Sequence, residues 1–474
     1  MNRPVLSVVC YSIFFIGTCS QALFSQTSQG TQALTPHQKL ARDLFRELIE
    51  INTTMNIGSG KAAEAMASRL KAPGFSDNDI QLVGPRAQNM NLIVRYKGKE
   101  ALRPILFFGH LDVVEALRQD WSFDPFVFLE KDGYFYGRGT SDMKCEDANI
   151  VANLIRLKNE GFVPNRDIIV ALTEHEENGD ANGVDWLLAN RRDLIDAEFA
   201  INLEGGGGDI KGGKYLLMEI QTGEKVYMNF QLEVKNKGGH SSLPVKDNAI
   251  YRLAAGLSRL AQYEFPIRLN ETTRTFFQRA ASQESGQAAA DMLGILKTPI
   301  DTSASNRLIA SSSYYNALLR TTCVATMLSA GHAENALPQT ARAVVNCRML
   351  PDDSKENVIA TLTRVLADSQ IAISQMGQMD LSPLSPLRKV VMDNVEKLTA
   401  SMWPGVTITP VMSTGASDGR YLRKAGIPVY GVSGIFFDID DVRAHGRDER
   451  IGVKDFYNGN EFMYKFIKAL TSGS

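Results

Sequence analysis

Ile105-Leu106-Phe107-Phe108 runs without a break into Gly109-His110-Leu111-Asp112. A short apolar run that ends in a histidine and a carboxylate is typical of a buried strand with polar side chains at its carboxyl end. The arrangement recurs where residues 168–172 lead into Thr173-Glu174-His175-Glu176-Glu177, and where residues 199–203 lead into Glu204-Gly205-Gly206. Because ligands gather at the carboxyl ends of strands in open α/β sheets, we expect these three strand ends to converge on one site.

The pattern around these strands predicts the fold class. Ile150, Leu154 and Leu157 recur at helical spacing between the strands at 105–108 and 168–172. Alternation of strands with helices indicates an α/β domain. We therefore predict a catalytic domain with a mostly parallel sheet flanked by helices, discontinuous in sequence over residues 30–223 and 381–474.

The middle of the chain has a different character. Residues 226–234 alternate partly with period two, and a helical repeat and a further strand follow at 250–260 and 341–347. This pattern predicts a smaller α+β lid domain of the dimerisation type, inserted at 224–380, in which residues 270–320 are a polar, mixed insertion.

Charge and composition exclude some classes of function. The net charge is -2 over 474 residues, and no run of Lys and Arg stands out, so a nucleic-acid partner is not expected. The length allows two or three domains with a sizeable core.

The N-terminus has the layout of a secretory signal peptide. Met1-Asn2-Arg3 supplies a basic start, residues 4–18 are uncharged and largely apolar, and small and polar residues follow. We assign residues 1–25 to a signal peptide, which predicts a secreted or periplasmic protein without stable membrane insertion after cleavage. An uncleaved anchor and lipidation at Cys19 are the alternatives.

The cysteines suggest no framework. Cys145, Cys323 and Cys347 lie outside the signal and are widely spaced, so the sequence predicts neither a disulfide scaffold nor a thiolate-zinc site. Cys145 is expected to be a small buried residue.

Histidine and carboxylate side chains of the strand ends suit zinc. Ser141-Asp142-Met143-Lys144, after a glycine-rich turn, and Ala444-His445-Gly446 bring further side chains of these types. Asp112, two residues after His110, is expected to orient the imidazole through its other nitrogen.

The ordered set of motifs resembles the two-zinc metallopeptidase family that includes glutamate carboxypeptidase, succinyl-diaminopimelate desuccinylase and aminoacylase. The matching segments are Gly109-His110-Leu111-Asp112, residues 136–144, Glu176-Glu177-Asn178-Gly179, Glu204-Gly205-Gly206, Gly239-His240-Ser241-Ser242, Asn335-Ala336-Leu337-Pro338, residues 415–420 and His445. Residues 316–322 and 345–348 resemble the larger branch that holds vacuolar Gly-X carboxypeptidase and secreted N-acyl amino acid hydrolases.

The resemblance implies a role for each site residue. Two zinc ions per chain, replaceable by Co²⁺ or Mn²⁺, would be bridged by Asp142; His110 and Glu204 would hold one ion, and Glu177 and His445 the other. The other implied catalytic residues are Glu176 as general base, Asp112 beside the ligands, and His240 as the donor to the oxyanion. In relatives this histidine often comes from the lid of the partner subunit, so the resemblance also implies a possible homodimer through the lid.

The implied substrate is a small peptide or an N-acyl amino acid. Asn335, Arg348, Gly415 and Arg420 are the expected substrate-binding residues, and arginine is suited to bidentate capture of a carboxylate. The main hypothesis is a carboxypeptidase that cleaves the amide bond before the C-terminal residue. The alternatives are a deacylase of N-acyl amino acids and, more remotely, a non-catalytic binding protein on the same fold.

Two positions depart from the family pattern. Cys145 stands where glycine is common. His175 stands where the family usually has Asp before the glutamate pair, and we expect it to alter the surroundings of the metal ligands without loss of activity. His37 and His332 match no ligand position.

Overall fold

The computed structural model describes residues 33–177, 181–378 and 381–472. The predicted signal peptide and the Asn178-Gly179 part of one motif lie outside the described residues. In chain order the strands are β1 Ile80–Arg86, β2 Asn89–Tyr96, β3 Ile105–His110, β4 Leu129–Lys131, β5 Tyr134–Tyr136, β6 Ile168–Thr173, β7 Phe199–Asn202, β8 Gly207–Lys211, β9 Lys214–Glu224, β10 Val226–Lys235, β11 Gly239–His240, β12 Thr322–Ala330, β13 Ala336–Leu337, β14 Thr340–Met349, β15 Ile371–Met376, β16 Thr407–Ser413, β17 Val429–Gly431, β18 Phe436–Asp438 and β19 Arg450–Gly452.

Fourteen α-helices are distributed along the described chain. They are α1 Pro36–Glu50, α2 Gly60–Lys71, α3 Lys144–Asn159, α4 Gly183–Asn190, α5 Arg192–Ile195, α6 Ala249–Gln262, α7 Glu271–Ala280, α8 Gly286–Gly294, α9 Thr302–Ser311, α10 Ser313–Leu319, α11 Lys355–Leu366, α12 Lys389–Met402, α13 Gly419–Lys424 and α14 Val453–Thr471. Among the described residues, no helix combines the length and the apolar character that crossing a bilayer requires.

A ten-stranded sheet forms the larger part of the fold. Its order is β1-β2-β6-β3-β7-β17-β9-β8-β18, with β16 paired to β9. β3 is parallel to both β6 and β7, whereas β1, β2 and the β8–β9 pair bring antiparallel neighbours. The predicted α/β class is confirmed, with a sheet that is mixed and parallel at its centre.

The central strands are buried on both faces, which explains their continuous apolar sequence. Ile105 and Phe107 of β3 join one apolar core with α1, α3 and α14, and Leu106 and Phe108 join another with α4 and α13. The carboxyl end of β3 is thereby fixed between two packed layers.

A second, antiparallel sheet has the order β12-β14-β10-β15, and we call it the lid sheet. Alternate residues of β10, from Val226 to Val234, are buried against α6 and α11, and the intervening residues face outward. One covered face explains the period-two pattern of the sequence.

The segment predicted as a polar, mixed insertion is helical. Helices α7 to α10 bury Phe277, Leu308 and Leu319 in a separate apolar core, to which β16 contributes Val411 and Met412. Asn270 caps α7 through a capping box with Thr273. The insertion therefore packs on the larger sheet.

The sequence predicted no disulfide framework, and the structure contains a disulfide that the cysteine spacing did not indicate. Cys323 of β12 and Cys347 of β14 face each other in the strand register and are bonded, with Cα atoms 4.1 Å apart. Their separation of 24 residues hides a direct cross-strand pairing. Cys145 is free and buried, as predicted.

Loss of this disulfide should destabilise the chain. Replacing both residues, Cys323→Ser with Cys347→Ser, should lower the free energy of unfolding by about 2–4 kcal/mol, because the unfolded chain loses a cross-link. Denaturant unfolding measures the effect. Dithiothreitol should lower the stability of the wild type and leave the double variant unchanged; equal sensitivity of the two proteins would contradict the bond.

Candidate metal centre

The ligand-type residues come from five segments that meet at one edge of the larger sheet. His110 ends β3, Glu177 lies in the turn after β6, and Glu204 follows β7. Asp142 precedes α3, and His445 lies between β18 and β19. Because β6, β3 and β7 are parallel neighbours, their carboxyl ends converge as the sequence predicts.

Asp142 stands between two imidazoles. Its Oδ1 lies 3.2 Å from Nε2 of His110, and its Oδ2 lies 3.0 Å from Nε2 of His445. The same His445 nitrogen is 3.0 Å from Oε1 of Glu177. Ligand atoms of His110, Asp142 and Glu177 all lie within 4.8 Å of one another, which is close enough to share a cation.

The chemistry of these groups fits divalent metal ions. Within the described chain, Nε2 of His110 and Oδ1 of Asp142 are buried and make no hydrogen bond, although they lie 3.2 Å from each other. Nδ1 of His110 lies 3.0 Å from the Asp112 carbonyl oxygen. Since a carbonyl can only accept, Nδ1 carries the proton and Nε2 is left as a ligand nitrogen.

The carboxylates of the site repel one another. Burial, and next the charge of Asp418, raise the pKa of Glu176 to about 8. Burial, and next the charge of Asp142, raise the pKa of Glu177 to about 7. Burial also raises the pKa of Glu204 well above its usual range, and the charge of Glu176 adds to this effect. These shifts describe a site with an excess of buried negative charge.

The imidazoles respond in the opposite direction. The contact with Asp142 raises the pKa of His445 to about 9 against the opposing effect of its burial. Burial would lower the pKa of His110, but the Asp142 and Asp112 carboxylates raise it well above its usual value. Burial would raise the pKa of Asp142 itself, and its two imidazole neighbours instead lower it below the usual range. Both imidazoles thus lie in strongly negative surroundings, which also favour a bound cation.

Asp112 supports the site differently from the prediction. Its backbone carbonyl, at 3.0 Å, is nearer to the His110 imidazole than its carboxylate, at 3.7 Å. The carboxylate instead accepts the backbone N–H groups of Glu176 at 3.2 Å and Glu177 at 3.1 Å. Asp112 therefore fixes the turn that carries both glutamates.

His175 faces away from the ligands. Its Nε2 lies 3.1 Å from Nδ2 of Asn89, which also donates to Glu174 at 2.6 Å. His175 thus belongs to a buried polar cluster with Asn89 and Glu174.

Sequence reasoning missed Asp418 as a site residue. Its carboxylate is buried, accepts a hydrogen bond from Asn182, and is, after burial, the largest cause of the raised pKa of Glu176. Burial raises the pKa of Asp418 to about 6. Its place in the motif of residues 415–420 was the available signal.

Arg348 and Arg420 line one cavity of about 310 Å³. The cavity lies where the lid sheet meets the larger sheet, with Tyr227 and Ala416 also in its wall. The Arg348 guanidinium lies 4.6 Å from the centre of the Tyr227 ring. Burial, with a smaller effect of Arg420, lowers the pKa of Arg348. The lining holds two arginines and Lys225 against one carboxylate, Glu224, and this excess of basic groups favours an anionic ligand.

The predicted substrate residues Gly415 and Asn335 and the predicted oxyanion donor His240 are not among the lining residues of this cavity. Gly415 is exposed, and its N–H donates to the Ser413 hydroxyl at 3.0 Å. His240 and Asn335 are exposed beside the small β11–β13 ladder, where the Ser241 N–H donates to the Asn335 carbonyl at 2.9 Å. Within one chain, the described contacts do not join His240 to the ligands, and the homodimer through the lid stays a prediction.

Comparison with known proteins gives the family. The model of peptidase family M20/M25/M40 matches residues 106–469. The chain is 30% identical over 379 residues to the human N-fatty-acyl-amino acid synthase/hydrolase PM20D1, covering 78% of this chain and 74% of that protein. It is 28% identical over 398 residues to the probable carboxypeptidase S-like 2 of Dictyostelium discoideum, covering 80% and 74%.

A solved structure shows the same fold. The M20 family metallo-carboxypeptidase Sso-CP2 of Sulfolobus solfataricus superposes with a TM-score of 0.67 at 18% identity, covering 91% of this chain and 99% of that one. The motif resemblance, the fold and the matched family model agree. This chain belongs to the M20/M25/M40 peptidase family and is a hydrolase of the metallopeptidase type.

Proposed function

We propose that the chain is a two-zinc hydrolase that cleaves the amide bond before a C-terminal amino acid, as a carboxypeptidase on short peptides. The observation that carries the proposal is the Asp142 carboxylate, which faces His110 with one oxygen and His445 with the other. A cavity with two arginines lies beside this arrangement.

Five side chains would hold the metals. His110 and Glu204 are assigned to one zinc ion, Glu177 and His445 to the other, and Asp142 to both. Bound zinc lowers the pKa of water and polarises the scissile carbonyl, and Co²⁺ or Mn²⁺ would serve as substitutes. Three carboxylate ligands offset most of the charge of two divalent ions.

Glu176 is left to move the proton. It is adjacent to the ligand Glu177, its backbone N–H is held by Asp112, and its carboxyl is buried among the site's charges. A carboxylate in this place takes a proton from the attacking water and returns it to the leaving amine.

The arginines recognise the free carboxylate of the leaving amino acid. A guanidinium matches a carboxylate with two parallel hydrogen bonds. Arg348 comes from the lid sheet and Arg420 from α13, where the charges of Asp418 and Glu176 also reach it. A carboxylate in this cavity therefore lies close to the general base.

Deacylation of N-acyl amino acids is the second candidate function. It would release the same free amino acid, so the arginine cavity and the metal centre serve both reactions equally. The human relative is named as acting on N-fatty-acyl amino acids and the Dictyostelium relative as a carboxypeptidase, at similar identity. Rates on dipeptides and on N-acyl amino acids that share one leaving residue decide between them. A binding protein without activity is disfavoured because Glu176 and all five ligand residues are present.

Export through an N-terminal signal is also proposed. The Cys323–Cys347 bond supports it, because disulfides persist mainly in oxidising compartments. Protein recovered from the producing cells should lack the first 20–25 residues, and its intact mass measures this. A mature chain that still begins at Met1 would contradict the proposal.

Exchange of the general base should separate chemistry from metal binding. Glu176→Gln should lower kcat by about 10²–10⁴-fold with zinc content near that of the wild type, because the metal ligands remain. Glu177→Gln, the matched change one residue on, should also lower zinc content. Steady-state rates and elemental analysis measure the two effects. A Glu176→Gln enzyme with most of its activity would exclude this mechanism.

Removal of the lid arginine should affect free acids selectively. Arg348→Ala should lower kcat/KM for free-acid substrates by about 10–100-fold, since a hydrogen bond to a charged group is worth roughly 1.5–3 kcal/mol. The C-terminal amides of the same substrates should be slow with the wild type and little changed by the variant.

Arg342→Ala is the matched control. Arg342 lies on the same strand as Arg348 but is exposed and paired with Glu233 at 2.5 Å. The Arg342→Ala variant should leave kcat/KM unchanged for both the free acids and their C-terminal amides. If the wild type cleaves free acids and amides equally well, the chain does not select for a carboxylate.

A further inference from the structure

Glu449 follows the ligand His445 by four residues, and its side chain is fully buried. Its two carboxylate oxygens accept five hydrogen bonds, all from the segment 138–142 that ends in the ligand Asp142. Oε1 accepts from the Ser141 N–H at 2.7 Å, the Ser141 hydroxyl at 2.9 Å and the Asp142 N–H at 3.1 Å, and Oε2 accepts from the Arg138 guanidinium at 2.6 Å and the Gly139 N–H at 3.0 Å.

Further contacts make the two ligand-bearing loops one body. The Gly137 N–H donates to the Glu449 carbonyl at 3.2 Å, and the Arg138 guanidinium donates to the Gly446 carbonyl at 3.0 Å. β19 continues from Glu449 and pairs with β5, which leads into Gly137. The backbone of Asp142 and the loop of His445 are thereby tied by the Glu449 carboxylate and by these backbone contacts.

A carboxylate suits this position better than an amide. All five groups that face it are donors, and a carboxylate is the side chain that accepts without donating. The buried Arg138 guanidinium also requires a nearby negative charge. Glutamine has nearly the same shape but would turn an NH₂ group toward two of the donors.

The hydrogen bonds of Glu449 influence the position of both carboxylate oxygens of Asp142. The Asp142 N–H is one of the groups that Glu449 binds, so the position of that backbone sets where Oδ1 meets His110 and where Oδ2 meets His445. The position of His445 depends on the Glu449 carboxylate as well, because both residues lie in one loop.

We propose that Glu449 is a positioning residue that sets the spacing between Asp142 and His445 and so determines the affinity of the metal pair. This inference rests on the ligand assignment made under the proposed function. Glu449 itself contacts no metal and no substrate.

Titration of the metal-free full chain with Co²⁺ tests the inference, with the visible absorption of bound Co²⁺ and competition by a chelator as readouts. Glu449→Gln should weaken Co²⁺ binding by about 10–100-fold, the range for partners that orient ligands, and should change the absorption spectrum. Glu449→Asp keeps the charge and shortens the side chain, so it should restore part of the affinity.

Asp353→Asn is the matched control. Asp353 is a largely buried carboxylate of the lid that accepts from Thr321 at 2.7 Å and pairs with Arg268 at 3.1 Å. This variant should lower the unfolding temperature and keep the Co²⁺ affinity and spectrum of the wild type.

The inference would be overturned if Glu449→Gln binds Co²⁺ with the affinity and spectrum of the wild type and only its unfolding temperature is lower. Glu449 would then be a purely structural residue. If Glu449→Gln does not fold, Glu449→Asp decides by the same titration, and unchanged affinity there overturns the inference as well. The titration uses no substrate. A wild type that binds two Co²⁺ ions but cleaves neither peptides nor N-acyl amino acids would therefore refute the proposed function alone.

Discussion

The repulsion among buried carboxylates at one edge of the larger sheet is the constraint on which the rest of the structure depends. Glu176, Glu177 and Glu204 all have raised pKa values because they are buried and near like charges. Groups of one sign held this close are costly to bury unless opposite charge offsets them. Two divalent cations would supply that charge, and the side chains that face the centre are of the types that bind them.

Buried carboxylates that bind backbone N–H groups keep this cluster in place. Asp112 holds the Glu176-Glu177 turn, and Glu449 holds the segment that ends in Asp142. Glu224 performs a similar role where the two sheets meet: it accepts the Ser417 N–H at 2.8 Å and pairs with buried Arg423 at 2.8 Å. The site loops are thus positioned by buried carboxylate acceptors.

The sequence predicted the part of the site that follows from strand order. His110, Glu177 and Glu204 could be expected together because each ends or follows a continuous apolar run, and parallel strands bring such ends to one edge. Asp142 and His445 were predicted as further contributors from their residue types, and their roles as ligands came from the family resemblance, since no periodic pattern relates their loops to those strands.

What the sequence did not reveal depends on pairing in three dimensions. Cys323 and Cys347 are 24 residues apart, and only the register of β12 on β14 shows that they face each other. The carboxylate role of Asp112 and the role of Glu449 were hidden for a similar reason, because an acid that binds backbone N–H groups has no distinct local pattern. The apolar core of α7 to α10 was missed because short helices of mixed composition give a weak periodic signal.

Anomalous diffraction at the zinc absorption edge, from crystals of the zinc-loaded chain, tests the central claim most directly. The account predicts two peaks about 3.5–4 Å apart, one on the His110 side of Asp142 and the other on the His445 side. A single peak, or two peaks that do not share Asp142, would contradict it.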